Sequence, residues 1–279
     1  MDLHVELVVH DRITTFATVE ATAGLHIIDH GNLRHPRVLN TGIAYIYPFW
    51  NLDPWGIRAM SSITSKVFDP SAVNAAEAAE FSSRLRKRLV GARRSRYPQA
   101  EAVVDLPEDH IAVFLQSEAH RGVAETCYLS MRQMLAALLA RNDPRAIVVK
   151  PHPRDKDRKT RTYLARLAAR DFRLQVVDAN IHDILGRASV AVTINSAVGI
   201  EAHLHRVPVV LCGHSDFHHA AVTVTDRFGM DAAIAKAVST DWPHEAFLHW
   251  YFAEQCLNAG RPSLVADFLA KIALAVPDA

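Results

Sequence analysis

Val190-Ala191-Val192-Thr193-Ile194-Asn195-Ser196-Ala197-Val198-Gly199-Ile200-Glu201-Ala202 changes periodicity at the polar pair in its middle. A short β-rich run, bounded by Asn195-Ser196, reads as a buried strand that feeds directly into a helix. The same unit repeats outward in both directions. Ile111–Leu115, Ile147–Val149, Leu174–Val177, Val190–Ile194 and Val209–Cys212 are expected as strands, with helices over 124–141, 157–170, 180–187 and 197–206 between them. Strands alternating with helix-length amphipathic stretches specify crossover connections, hence a parallel, doubly wound sheet with right-handed crossovers.

The N-terminal part is less regular. Val5–Val9, Ile13–Val19, Leu25–Ile28 and Ile43–Tyr47 are strand-like, while Gly, Pro and Asn punctuate 29–56 as loops. A long helix is expected over 72–97, where Phe81, Leu85 and Leu89 form one apolar stripe. With Pro98 and Pro107 marking a linker over 98–109, the chain divides into an N-terminal α/β domain over 1–105 and a second domain over 106–279.

Composition narrows the function classes. Lys+Arg 31 against Asp+Glu 30 leaves a formal charge of +1, so no global field favours nucleic acid. The N-terminus lacks the basic and apolar runs of a signal peptide, and no apolar stretch has the length of a membrane span, which gives the expectation of a cytoplasmic protein. Cys127, Cys212 and Cys256 are widely spaced and odd in number, as expected for small buried residues rather than a disulfide or zinc framework.

In open parallel sheets ligands bind beyond the carboxyl ends of the strands, and here those positions are polar. Gln116 and Glu118 follow the first strand of the second half, Lys150 and His152 the next, Asn195 and Ser196 the fourth, and Gly213 and His214 the fifth. Lys150-Pro151-His152-Pro153 is the sharpest of these signals, because prolines on both sides stiffen the loop that presents His152. An imidazole with an ordinary pKa near 6.5 can bind a phosphate or act as a general acid. At the strand-to-helix junction, backbone N–H groups and the Ser196 hydroxyl suit an anion, and Gly199 permits close approach. Helix capping accounts equally well for Asn195 or Ser196. It does not account for Glu201, which lies beyond the third helical position where a capping box places its acid and is instead suited to accept ribose hydroxyls.

These pieces, in this order, resemble the capsule polysaccharide biosynthesis family of Kdo transferases. The resemblance runs through Phe114-Leu115-Gln116, Val149-Lys150-Pro151-His152-Pro153, Ile181-His182-Asp183-Ile184-Leu185 and Asn195-Ser196-x-x-Gly199-x-Glu201-Ala202, then Pro208-Val209-Val210 and Gly213. It covers roughly 110–225, with a similar tail over Phe247–Gly260. It implies a GT-B-like α/β fold of two Rossmann-like domains, with a reduced N-terminal domain on the acceptor side and a nucleotide-binding C-terminal domain.

The implied reaction moves an acidic sugar, Kdo foremost, from a CMP-sugar to a capsular or lipid-linked glycan, with no cofactor and no bound metal. The implied nucleotide-binding set is Gln116, Lys150, His152, Pro153, Asn195, Ser196, Gly199, Glu201 and Gly213, and the catalytic candidates are His152, Glu118 and Glu125. Two alternatives stand beside this reading: an enzyme using a CDP-linked glycerophosphate donor, and a non-catalytic nucleotide-binding scaffold of capsule assembly.

The chain departs from the family pattern at Arg206, where a glycine usually precedes the proline-valine pair, and at His120, near the position of an expected aspartate. Arg84, Arg86, Lys87, Arg88, Arg93, Arg94 and Arg96 crowd the end of the long helix. They read either as a solvated face or as a peripheral contact with anionic lipid at the inner membrane surface. His203, His205, His214, His218 and His219 lack a convincing ligand partner for a metal, although His214 or a neighbour suits the wall of the nucleotide pocket.

Overall fold

The computed structural model describes residues 5–9, 15–116, 125–155 and 157–275. The elements, in chain order, are α1 (Thr15–Ala21), β1 (His26–Asp29), β2 (Val38–Ile43), β3 (Phe49–Asp53), α2 (Ala75–Leu89), β4 (His110–Phe114), α3 (Met131–Leu139), β5 (Ile147–Lys150), α4 (Arg158–Ala168) and β6 (Leu174–Val176). They continue with α5 (Ile181–Leu185), β7 (Ala188–Thr193), α6 (Ala197–Ala202), β8 (Val209–Leu211), β9 (Val222–Thr223), α7 (Met230–Ser239), α8 (His244–His249), a π-helical turn (Trp250–Gln255), β10 (Leu257–Asn258) and α9 (Leu264–Ala275).

The second half forms a six-stranded, all-parallel sheet in the order β6-β5-β4-β7-β8-β9. Counted from β4, that is the doubly wound order 3-2-1-4-5-6, whose direction of winding reverses between β4 and β7. The alternation of side chains along the strands explains why both faces are covered. Ile111, Val113, Val149, Val190 and Val192 face α3, α4 and α7, whereas Ala112, Phe114, Val148 and Ala191 face the core built by α5, α6, α8 and part of the N-terminal half. In register, Phe114 lies beside both Lys150 and Thr193. The residues that follow, Gln116, His152 and Asn195, therefore leave the sheet at one edge.

The N-terminal sheet is mixed, in the order β1-β2-β3-β10. β1 and β2 are parallel, β3 is antiparallel to β2, and β10 returns from the far end of the chain to pair antiparallel with β3. One core cluster joins Ala44, Tyr45, Ile46, Phe49, Phe81 and Leu85 to Phe217, Phe247, Tyr251 and Phe252, so both halves share a packed interior.

Several local expectations are corrected. Val5–Val9 is exposed and not a strand, and Thr15–Ala21 is helical where a strand was expected. Of Ile43–Tyr47 only Ile43 is in a strand; β2 precedes it and β3 follows a loop in which Tyr45 has φ 63. The helix expected over 72–97 ends at Leu89. The helix expected from 124 begins at Met131, because Tyr128 and Leu129 donate their N–H groups to the Cys212 carbonyl and bind this segment to the edge of the sheet. Among the described residues no helix is long and apolar enough to cross a membrane.

Candidate functional site

At the reversal between β4 and β7 the two amides lock together. Gln116 Nε2 donates to Asn195 Oδ1 at 2.6 Å, and Asn195 N–H donates to Gln116 Oε1 at 3.2 Å. Asn195 Nδ2 donates to Thr126 Oγ1 at 2.7 Å and to the His214 carbonyl at 2.9 Å. Both side chains are engaged in tying loops together at the head of the sheet, which satisfies polar groups that would otherwise be stranded. Gly213 is buried beside Ile194 and bridges Cys127, and Gly199 is packed against the Phe217 ring, where an added Cβ would sit 2.9 Å from Cε2. Close packing is reason enough for a glycine at both positions.

Beside this floor lies a cleft that is open to solvent. Lys150, Pro151, His152, Pro153, Ser196 and Glu201 line it, so five of the expected nucleotide-binding residues share one wall. The buried Lys150 ammonium donates to the Ala179 carbonyl at 2.6 Å and to Asp178 at 3.2 Å, leaving one of its three protons for a ligand. His152 Nδ1 accepts from Arg154 N–H at 3.2 Å, so in the neutral imidazole the proton resides on Nε2. Burial, and then the Arg154 charge, hold the His152 pKa below its ordinary value. Ser196 caps α6, accepting from Val198 N–H at 3.4 Å. Capping leaves its hydroxyl proton free to donate.

Glu201 is 3% exposed and its carboxyl is pushed up to about 7 by burial, against the opposing effect of a hydrogen bond from Ser95. It is held half-protonated near neutrality. Glu118 and His120 lie outside the described residues. Glu125 is exposed next to the Cys127–Gly213 bridge and does not line the cleft, and neither does His214.

The opposite wall was not foreseen as part of the site. Ser95, Arg96, Tyr97 and Gln99 line it, on a strap that leaves α2 after Leu89 and turns at Arg93, whose φ is 50. The strap is fastened to α5 at several points. Asn180 Nδ2 donates to the Arg93 carbonyl at 3.1 Å and to that of Ala100 at 3.4 Å, and Ile181 N–H donates to Gln99 Oε1 at 3.2 Å. His182 Nε2 donates to the Arg94 carbonyl at 2.8 Å, and Arg93 forks onto Asp183 at 3.1 and 2.6 Å. The Ile181-His182-Asp183 motif therefore acts on the cleft through this strap. Its sequence signal was an aromatic within a basic run, Arg94-Ser95-Arg96-Tyr97, which had been attributed to a charged helix end.

Within the basic run Arg86 and Arg93 are half-buried, while Arg84, Lys87, Arg88, Arg94 and Arg96 are exposed. Arg86 donates to the Leu204 carbonyl, Arg88 to that of Tyr47 at 2.9 Å, and Arg93 to Asp183. The histidines are paired: His203 with His244 at 2.8 Å and His182 with His205 at 2.9 Å, burial pushing His205 to about 3 and His244 to about 4. Among the described residues no group of three or more His, Cys, Asp and Glu is placed to hold a metal ion. At the far side of the N-terminal sheet, Asp53 accepts from the N–H groups of Trp55, Gly56 and Ser62, and Arg34 stacks on Trp55 at 4.0 Å. The 31–34 and 51–55 loops meet through that stack.

The fold has solved relatives. A KpsC β-Kdo 2,7-transferase of Thermosulfurimonas dismutans is similar at 14% identity and TM-score 0.60, covering 95% of this chain and 90% of that one. The KpsC β-Kdo 2,4-transferase of the same organism is similar at 17% identity and TM-score 0.51, covering 75% and 70%. The likeness establishes a shared GT-B-type α/β fold. No curated protein sequence matches the chain significantly. Residues 75–258 match the family model described as capsule polysaccharide biosynthesis protein, and the chain belongs to that family.

Proposed function

We propose that this chain is a glycosyltransferase of capsule synthesis that takes an acidic sugar, Kdo foremost, from a CMP-linked donor and passes it to a glycan or glycolipid. The observation that carries the reading is the convergence of Lys150, His152, Ser196 and Glu201 on one cleft at the carboxyl edge of the parallel sheet. In this reading the departing phosphate takes the free Lys150 proton, the His152 Nε2–H and the Ser196 hydroxyl, while Glu201 accepts the ribose hydroxyls. An anion at this place raises the His152 pKa, so that the imidazole becomes able to protonate the leaving group. Gln116 and Asn195 hold the floor on which these groups stand. Glu118 and Glu125 are the acidic candidates for the acceptor side.

The N-terminal domain over 1–105 is assigned to the acceptor. Work on a lipid-linked acceptor would place the protein at the cytoplasmic face of the membrane, with the exposed Lys87 and Arg94 available to anionic headgroups. The test is transfer itself: purified protein with CMP-Kdo and a Kdo-terminated glycolipid, followed by mass spectrometry. The expected product carries one further Kdo, and His152→Ala lowers its rate by a factor of about 100 or more. Nucleotide binding without any transfer would favour the scaffold reading instead.

A further inference from the structure

Two guanidinium groups from separate parts of the chain, Arg96 and Arg154, meet on one ring beside the cleft, and the charge of a third, Arg58, acts on Arg96. Arg96, on the strap, lines the cleft directly. Arg154 follows the Lys150-Pro151-His152-Pro153 loop and stacks on Tyr97 at 4.7 Å from the ring centroid, and Arg96 reaches the same ring at 5.7 Å. The His152 imidazole meets Tyr97 edge-on at 5.2 Å, so one aromatic ring holds two guanidiniums beside the imidazole. Arg58 comes from the N-terminal half, with its Nε and Nη2 both donating to the Ile43 carbonyl at 3.2 Å.

None of the three forms an ion pair among the described residues. Asp155, next to Arg154, accepts from Asp157 N–H at 2.9 Å. After burial, the charges of Arg58 and Arg154 hold the Arg96 pKa below its ordinary value. Like charges gathered without a counter-ion are unfavourable, and an anion seated among them relieves that cost.

Lys150 and His152 thus share the cleft with Arg96, which together with Arg154 flanks the Tyr97 ring beside the His152 imidazole. A nucleoside monophosphate linked to an acidic sugar carries two anions, one phosphate and one carboxylate. We propose that Arg96, supported by Arg58 and Arg154, recognises the carboxylate of the sugar while Lys150 and His152 hold the phosphate. A planar guanidinium matches a carboxylate through two parallel hydrogen bonds, which a neutral sugar cannot offer. The specificity-determining role of Arg96 rests on the CMP-sugar reading above, and Tyr97 is the positioning residue that aligns the cations.

The two ideas separate by titrating wild type and Arg96→Gln with CMP and with CMP-Kdo, no acceptor present, and recording the melting midpoint of each protein. The expected result is a loss of about ten-fold or more in CMP-Kdo affinity with CMP affinity changed less than about three-fold, and partial recovery in Arg96→Lys. Equal losses for both ligands, or no loss for either at an unchanged midpoint, would overturn the proposal, since Arg96 would then serve the phosphate or nothing. Tyr97→Phe keeps the ring and is expected to retain both affinities; loss of CMP-Kdo binding in that variant would also count against it. Preference of the wild type for UDP over CMP would sink the donor reading itself.

Discussion

At the residue scale, Glu201 makes the most direct commitment. Its folded-state pKa of about 7 lies above the unfolded value near 4.5, so the folded chain holds a proton that the unfolded chain releases between those limits. The stability this group contributes is complete below about pH 4.5 and is lost as pH rises through 7. Glu201→Gln should therefore raise stability at pH 8 by up to about 3 kcal/mol and change it little at pH 4.5, as measured by urea unfolding at both. A gain that is the same at the two pH values would contradict the assignment. If the ionised carboxylate accepts ribose hydroxyls, CMP affinity in the wild type should increase from pH 6 to 8, and this dependence should vanish in the variant. Arg206 supplies a second case. It holds φ 57 and ψ 30 at the end of the turn after α6, the left-handed conformation that the family meets with glycine. The departure thus leaves the turn intact, with Arg206 paired to Glu245 at 2.6 Å on the surface. Arg206→Gly should raise the thermal midpoint, by a stabilisation of up to about 1 kcal/mol; a lower midpoint would mean that the ion pair outweighs the relief of strain. That Lys150, His152 and Ser196 share one cleft was legible in the sequence because each lies at or just past a strand end, where topology alone brings residues together; Glu201 joins them from within α6. Asn195 and Gln116 carry the same signature but are consumed by each other, which only the register of β4 and β7 reveals.

At the element scale, α5 and the strap show where sequence reading stops. The amphipathic periodicity of 75–89 continues plausibly towards 97, and nothing local announces that the chain leaves the helix and lies along another segment far away. The fastening is long-range: Asn180, His182 and Asp183 bind the backbone and side chains of 93–100. Asp183→Ala should free Arg93, cost about 1–3 kcal/mol of stability, and weaken nucleotide binding although Asp183 does not line the cleft. Calorimetry on a variant that is still folded checks this, and unchanged CMP affinity would mean that the strap is not part of the donor site. By contrast, the five expected strands of the parallel sheet fall within two residues of their observed bounds, because short apolar runs, fully buried in β4, β5 and β8, leave little choice of element. The two-residue β9 carries too few residues to register as a period.

At the scale of the whole molecule, the two sheets are joined by a buried carboxylate. Asp216 accepts from Tyr45 and Tyr251 hydroxyls, each at 2.6 Å, and from the Ser61 hydroxyl at 3.3 Å; burial pushes its pKa up against these three donors. Tyr45 and Ser61 belong to the N-terminal half and Tyr251 to the π-helical turn that precedes β10. Asp216→Ala would deprive three buried hydroxyls of their acceptor and should cost about 3 kcal/mol or more, whereas Tyr45→Phe and Tyr251→Phe should each cost about 1–2 kcal/mol and show coupling in the double variant. Strictly additive losses in urea unfolding would argue that the carboxylate does not join the halves. This joint ties the N-terminal half to the parallel sheet at whose edge the cleft lies, and the central question is what that cleft binds. The most direct measurement is calorimetric titration of the protein with CMP and with UDP, beside Ser196→Ala and His152→Ala. The account predicts preferential binding of CMP, weakened about ten-fold in each variant. Absence of binding to either nucleotide, or CMP binding that both substitutions leave untouched, would contradict it.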